Sequence, residues 1–255
     1  MKTKLLRQMI RKILLENHTS LITEGLKFNE LPQLALWRGR TGDGESYVLY
    51  DPVALKKEIM LFNKNTREKM PESMLGYFGL DSKAIKGIIA IYPDNWNPCN
   101  GAKYVSGVAS DTGHGPTLYD IAMGFEPDGI MSDRESVSKS AYEVWKYYYN
   151  NRPDIEKKPL DDRDKKWTDD PSDDCEHGAY GAYFKGWPET HEEFLTDPLN
   201  WTYNRGEVPG SRQSMKNHQD FVEDMTYQGV VLKDNWFAKL SDQYFQNRWD
   251  EEEGP

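Results

Sequence analysis

Hydrophobic and polar positions along the chain fall into blocks with distinct periods. From Leu31 to Tyr50 two apolar-rich runs flank Thr41-Gly42-Asp43-Gly44-Glu45, and this Gly/Asp turn predicts a β-hairpin. Pro52 suits a first helical turn, and ALKKEIMLFNK after it keeps a helical period. Residues 86–93, KGIIAIYP, read as an Ile-rich strand, residues 94–101 as a turn, and residues 102–110, AKYVSGVAS, as a second strand. Antiparallel pairing is the shortest way to join two such strands. A Gly turn follows, then a short helix from Pro116, a brief strand at 129–132 and a helix over 137–150. Beyond Arg152 the order thins. DIEKKPLDDRDKKWTDDPSDDCEHG reads as a charged, exposed loop, and residues 178–255 are rich in Trp and Tyr, with one helical candidate at SMKNHQDFVEDM. The sum is an α/β fold with a mixed, mostly antiparallel sheet flanked by helices, and an irregular aromatic-rich C-terminal extension.

The N-terminus has a different character. Leu5, Leu6, Met9, Ile10, Ile13 and Leu14 share one helical face, Lys4, Arg7, Arg11 and Lys12 lie largely on the other, and residues 2–15 hold no acid. Three readings of this segment stand side by side: a first helix docked on the body, a membrane-surface helix, or a transit peptide. The organisation expected is a basic leader over 1–24, an α/β domain over 25–152, and an acidic loop with an extension over 153–255.

Composition narrows the function classes. The 255 residues carry a net charge of -10, while residues 1–24 alone are net basic, so the body is more acidic still. An acidic body disfavours specific nucleic-acid binding, which needs a basic face. No apolar run is long enough to span a membrane. Two cysteines, Cys99 and Cys175, cannot form a disulfide scaffold; two reduced thiols are expected, with a single bridge as the alternative.

The sharpest chemical signal is Ser110-Asp111-Thr112-Gly113-His114-Gly115 before Pro116. Gly113 and Gly115 allow backbone conformations and close approach that side chains block. The helix end that follows presents N–H groups and a positive dipole end, together an anion cradle suited to a pyrophosphate. A tight strand-to-helix turn without a ligand is the plainer alternative. No Gly-Lys-Ser/Thr follows, and Leu118 stands where a dinucleotide fingerprint has its third Gly or Ala. Asp173-Asp174-Cys175-Glu176-His177 mixes metal-ligand residue types but lacks a second spaced pair, so a solvated acidic loop and no metal is expected.

The order strand, Gly turn, helix, strand, helix over residues 86–150 resembles the acetyl-CoA core of the GNAT N-acetyltransferases. Their turn reads Arg/Gln-x-x-Gly-x-Gly/Ala; Gly113 and Gly115 match it, and Ser110 replaces the Arg or Gln. The resemblance implies a GNAT-like fold, acetyl-CoA as cofactor on residues 110–115, and an N-acetyltransferase activity that needs a base for the amine and an acid for the CoA thiolate. Asp133 or Glu135, or His114 in the turn itself, is the implied base. Trp145 occupies the place of the family's acid tyrosine, and Tyr148 is the nearby acid candidate, although a helix packing aromatics on both sides is the preferred reading of the run Tyr147–Tyr149.

The leader resembles capsid-targeting leaders of tailed bacteriophages, which a prohead protease cuts after Glu in a Leu/Ile-x-Glu pattern. Leu14-Leu15-Glu16 and Ile22-Thr23-Glu24 both fit. GPTLYDIAM and the text from Ser132 to Tyr148 are similar to proteins of marine tailed phages. These likenesses imply phage capsid or scaffold proteins as partners and a virion or host-cytoplasm location. A non-catalytic internal or structural phage protein that keeps the fold is the first alternative. Trp37-Arg38-Gly39 resembles the strand arginine of mono-ADP-ribosyltransferases, a packaged enzyme of that class being the second, although their Ser-Thr-Ser strand is missing.

Overall fold

A computed structural model describes residues 28–66, 82–93, 99, 101–110, 113–134, 137–160, 175, 191–232 and 235–252. The basic leader of residues 1–24 lies outside the described residues. Among the described residues seven strands form one sheet: β1 (Ala35–Thr41), β2 (Gly44–Tyr50), β3 (Ile85–Pro93), β4 (Lys103–Ser110), β5 (Ile130–Ser132), β6 (Glu156–Pro159) and β7 (Trp201–Asn204). Their order is β1-β2-β3-β4-β5-β7-β6. β1 to β4 run antiparallel to their neighbours, β4 and β5 are parallel, and β7 lies antiparallel between β5 and β6. Among the described residues six α-helices accompany the sheet: α1 (Pro52–Thr66), α2 (Gly115–Phe125), α3 (Lys139–Asn151), α4 (His191–Thr196), α5 (Ser211–Tyr227) and α6 (Trp236–Glu252). The mixed, mostly antiparallel α/β architecture expected from the sequence is present.

Local chemistry explains the elements. The β1–β2 hairpin closes over Gly42 and Asp43, with Thr41 opposite Gly44 and Gly42 at φ +57°, a left-handed conformation that suits glycine. Asp51 caps α1, its Oδ1 accepting from the N–H groups of Val53 (2.9 Å) and Ala54 (3.0 Å), with Pro52 in the first turn. Ser138 caps α3 by accepting from the Ala141 N–H at 3.2 Å.

Alternation along the strands divides the apolar residues between the two faces of the sheet. Leu36, Tyr47, Leu49, Ile89, Ile91 and Val105 pack with Leu118, Ile121 and Ala122 of α2 and Trp145 and Tyr148 of α3. On the other face Trp37, Val48, Tyr50 and Ile88 pack with Leu55 and Ile59 of α1, Phe221 and Met225 of α5, and Trp236, Phe237 and Leu240 of α6. A third, smaller cluster holds Cys99, Ala102, Met131, Leu160, Cys175 and Phe194.

Two expectations are corrected. The charged stretch after Arg152 is not wholly loop, because residues 156–159 form edge strand β6, joined to the sheet through β7. Four residues are too few for a period of two to show, and the Lys157-Lys158-Pro159 composition that masks the strand also blunts its free edge. Cys99 and Cys175, expected as reduced thiols, are joined in a disulfide with Cα atoms 5.7 Å apart. Folding brings together two residues separated by 76 in sequence, a proximity that no local pattern carries.

Candidate functional site at the end of β4

The turn singled out in the sequence sits where the sheet opens. β4 pairs with β5 over three positions only, Lys103 with Ile130, Tyr104 with Met131 and Val105 with Ser132. β4 then continues for five more residues, paired with β3 alone. The change coincides with a bulge: Ile91 faces Val105 and Ala90 faces Gly107, leaving Ser106 as the extra residue on β4. A bulge bends its strand and strengthens its twist, which turns β4 away from β5. The edge of β4 from 106 to 110 therefore has no strand partner among the described residues.

At the end of that edge, Gly113 lies at φ +87° and α2 starts at Gly115. A side chain at 113 would be strained there. The Leu118 N–H donates to the His114 carbonyl at 3.0 Å, and Pro116 has no N–H to give. Close packing fixes the turn. A Cβ at Gly87 of β3 would lie 2.7 Å from Leu118 Cδ1 and 2.8 Å from Ser110 Cβ, and one at Gly115 would lie 3.1 Å from Ser110 Oγ. Of the six residues expected to form the cradle, Ser110, Gly113, His114 and Gly115 are thus gathered around one strand-to-helix turn. Asp111 and Thr112 lie outside the described residues.

The side chains expected to act on a ligand are placed unequally. His114 is buried, and its Nε2 lies 3.2 Å from Glu30 Oε2. Asp133 is half-buried immediately after β5, across the opening from β4. Trp145 is in the core, edge-on to Tyr119. Tyr148 is fully buried and directed at the first turn of α2: its hydroxyl lies 2.6 Å from Asp120 Oδ1, to which it donates, and 2.9 Å from the Pro116 carbonyl. Burial, and then the Asp120 carboxylate, hold the Tyr148 hydroxyl well above its ordinary pKa.

Asp120, not among the residues expected from the sequence to act, is the centre of a buried network. Arg152 donates to it twice, at 3.0 and 2.8 Å, and Arg205 makes a further ion pair. Arg152 also donates to Asp154 at 2.8 and 2.7 Å, which holds the Asp154 carboxyl below its usual range. Arg152 lies over the Tyr148 ring and Arg205 over the Phe28 ring. One signal was available: Asp120 is the lone acid in the apolar helix TLYDIAMGF, and an acid on a buried face needs cations.

A second charge cluster closes the opposite end of α2. Glu126, at the helix C-cap, accepts from Tyr47 (2.7 Å) and pairs with Lys103 (2.8 Å) and Arg38 (3.3 Å). Glu45 pairs with both cations at 2.7 Å, so the four charges form an alternating ring. Burial alone would raise the pKa of Glu45, but hydrogen bonds from Lys103 and Arg38 outweigh it and hold the carboxyl below its usual value. A carboxylate at a helix C-terminus faces the wrong end of the dipole, and the two cations offset this.

No helix among the described residues is long and apolar enough to cross a membrane, and no group of three or more His, Cys, Asp or Glu among them could hold a metal ion. No protein-family model matches the chain, and no match is found among curated proteins or solved structures.

Proposed function

We propose that the chain is a GNAT-like protein of a tailed bacteriophage whose β4–α2 turn binds acetyl-CoA. The observation that carries this reading is the parting of β4 from β5 at the Ser106 bulge, beside the left-handed Gly113 turn. A pyrophosphate suits the N–H groups of residues 113–115. An arm containing amides, such as pantetheine, suits the strand edge at 106–110 as an added strand does. The ligand class that combines both features is a coenzyme A thioester. Ser110, Asp111, Thr112, Gly113, His114 and Gly115 form the proposed cofactor site.

Binding has more support than acetyl transfer. The proposed base, Asp133, borders the opening. The proposed acid, Tyr148, has its proton engaged by a buried carboxylate, and Trp145 has no acidic proton to give a thiolate. These placements favour a protein that keeps the cofactor fold without the full acid–base pair. The ADP-ribosyltransferase alternative draws less support, because Arg38 is paired with Glu45 and Glu126. Virion packaging through residues 1–24, with capsid or scaffold partners, belongs to the same proposal and rests on the leader's sequence.

Titration of the purified protein with acetyl-CoA and, separately, with NAD tests the reading. Micromolar acetyl-CoA binding without NAD binding is the expected result. NAD binding with auto-ADP-ribosylation, or a folded protein that ignores both, would replace it with one of the alternatives.

A further inference from the structure

The two halves of the sheet are held together very differently. β1 to β4 share long antiparallel ladders, seven pairs between β1 and β2 and seven between β3 and β4. The β5–β7–β6 half is built from strands of three and four residues, and β5 meets β7 at the single pair Ile130–Tyr203. A three- or four-residue ladder offers few hydrogen bonds to resist fraying.

Cys175 joins this weaker half at several points. Its N–H donates to the Leu160 carbonyl, just past β6, at 3.0 Å. Its carbonyl accepts from Arg134, just past β5, at 3.2 Å. Arg134 is buried and donates as well to the Leu199 carbonyl (2.6 Å) and to Asn200 Oδ1 (3.3 Å), immediately before β7. Leu160 in turn donates its N–H to the Asn200 carbonyl at 2.9 Å. Cys175 thus touches the ends of β5 and β6 directly and β7 through Arg134 and Leu160. Its sulfur is bonded to Cys99, which lies between β3 and β4 on the strong half. Both cysteines are fully buried in the bonded form.

We propose that the Cys99–Cys175 bond is an oxidation-dependent lock that fastens the β5–β7–β6 half to the rest of the sheet. The lock is open under reducing conditions and closed under oxidising ones. Closure is a thiol–disulfide exchange with a low-molecular-weight disulfide such as oxidised glutathione. One cysteine thiolate attacks it and releases one glutathione; the second attacks the mixed disulfide and releases the other. Two protein thiols are oxidised, one glutathione disulfide is reduced, and atoms and electrons balance.

The test uses the full chain, purified under reductant and then equilibrated with oxidised glutathione. Alkylation after denaturation counts free thiols, and amide hydrogen exchange is followed by mass spectrometry before and after reduction. The lock predicts no free thiols after oxidation and at least a tenfold acceleration of exchange in 156–160 and 201–204 on reduction, with residues 44–50 and 85–93 unchanged. A Cys99→Ser/Cys175→Ser variant should exchange like the reduced chain and ignore reductant. Two free thiols surviving the oxidised buffer would overturn the proposal, as would a bond that forms without altering exchange at β6 and β7.

Discussion

Replacing Asp120 by Asn removes one negative charge from a place where water cannot supply another. The carboxylate is fully buried and faces Arg152 twice, Arg205 once and the Tyr148 hydroxyl. Asn keeps the volume but turns one acceptor into a donor that points at cations. Arg152 retains Asp154, whereas Arg205 loses its carboxylate. Removing one partner of a buried ion pair costs about 3–5 kcal/mol, and the exposure of Asp154 favours the lower end, about 3 kcal/mol. For a chain of this size that is a fall in Tm of roughly 6–12 °C. Thermal melts followed by circular dichroism measure it. Adding Arg205→Met to Asp120→Asn should recover part of the loss, because the uncompensated cation is gone. A drop below about 1 kcal/mol, or no recovery in the double variant, would show that the network is solvated and not a structural keystone.

Other consequences follow from the same reasoning. Glu126→Gln opens the charge ring and leaves Lys103 and Arg38 sharing Glu45, a loss of about 2 kcal/mol visible as a lower urea midpoint. His218, packed against Phe237 with Nδ1 2.8 Å from the Tyr50 hydroxyl, has its pKa pushed down to about 4 by burial. Its contribution is therefore fully present above an unfolded value of about 6.5 and is lost as pH falls towards 4, on the order of 2 kcal/mol in all. His218→Gln should flatten the stability profile over that interval; an unchanged slope would exclude His218 as its source. Tyr47, Tyr50 and Tyr148 are raised above their ordinary range by burial, so stability should fall as pH rises through about 10, and their phenol absorbance should change only with unfolding.

The parts of the fold legible in the sequence are those written in local chemistry. The hairpin declares itself through Gly42-Asp43-Gly44, α1 through Pro52 and the helical period after it, and β3 and β4 through their Ile and Val runs around a Gly/Pro/Asn turn. The long helix α5 shows in the period of its text, but α6 and the short strands β6 and β7 do not. What the sequence hides is long-range. Asp120 meets residues 32 and 85 positions away, and the disulfide spans 76. At the candidate site the glycines were legible because backbone freedom belongs to the residue itself. The bulge at Ser106 was not, since it exists only as a mismatch between two strands. The reading of Tyr148 as an acid candidate could not include its burial against Asp120, which tertiary packing alone decides.

In the proposed function the turn at Gly113 receives the pyrophosphate of a coenzyme A thioester. Calorimetric titration of acetyl-CoA into the wild-type protein and into Gly113→Val tests it most directly. Valine is disfavoured at φ +87°, so the turn must change its backbone conformation to hold it. Micromolar binding to the wild type and at least a tenfold loss in the variant are expected, with a far-UV spectrum that stays the same. Equal affinities for the two proteins, or no binding to a correctly folded wild type, would contradict it.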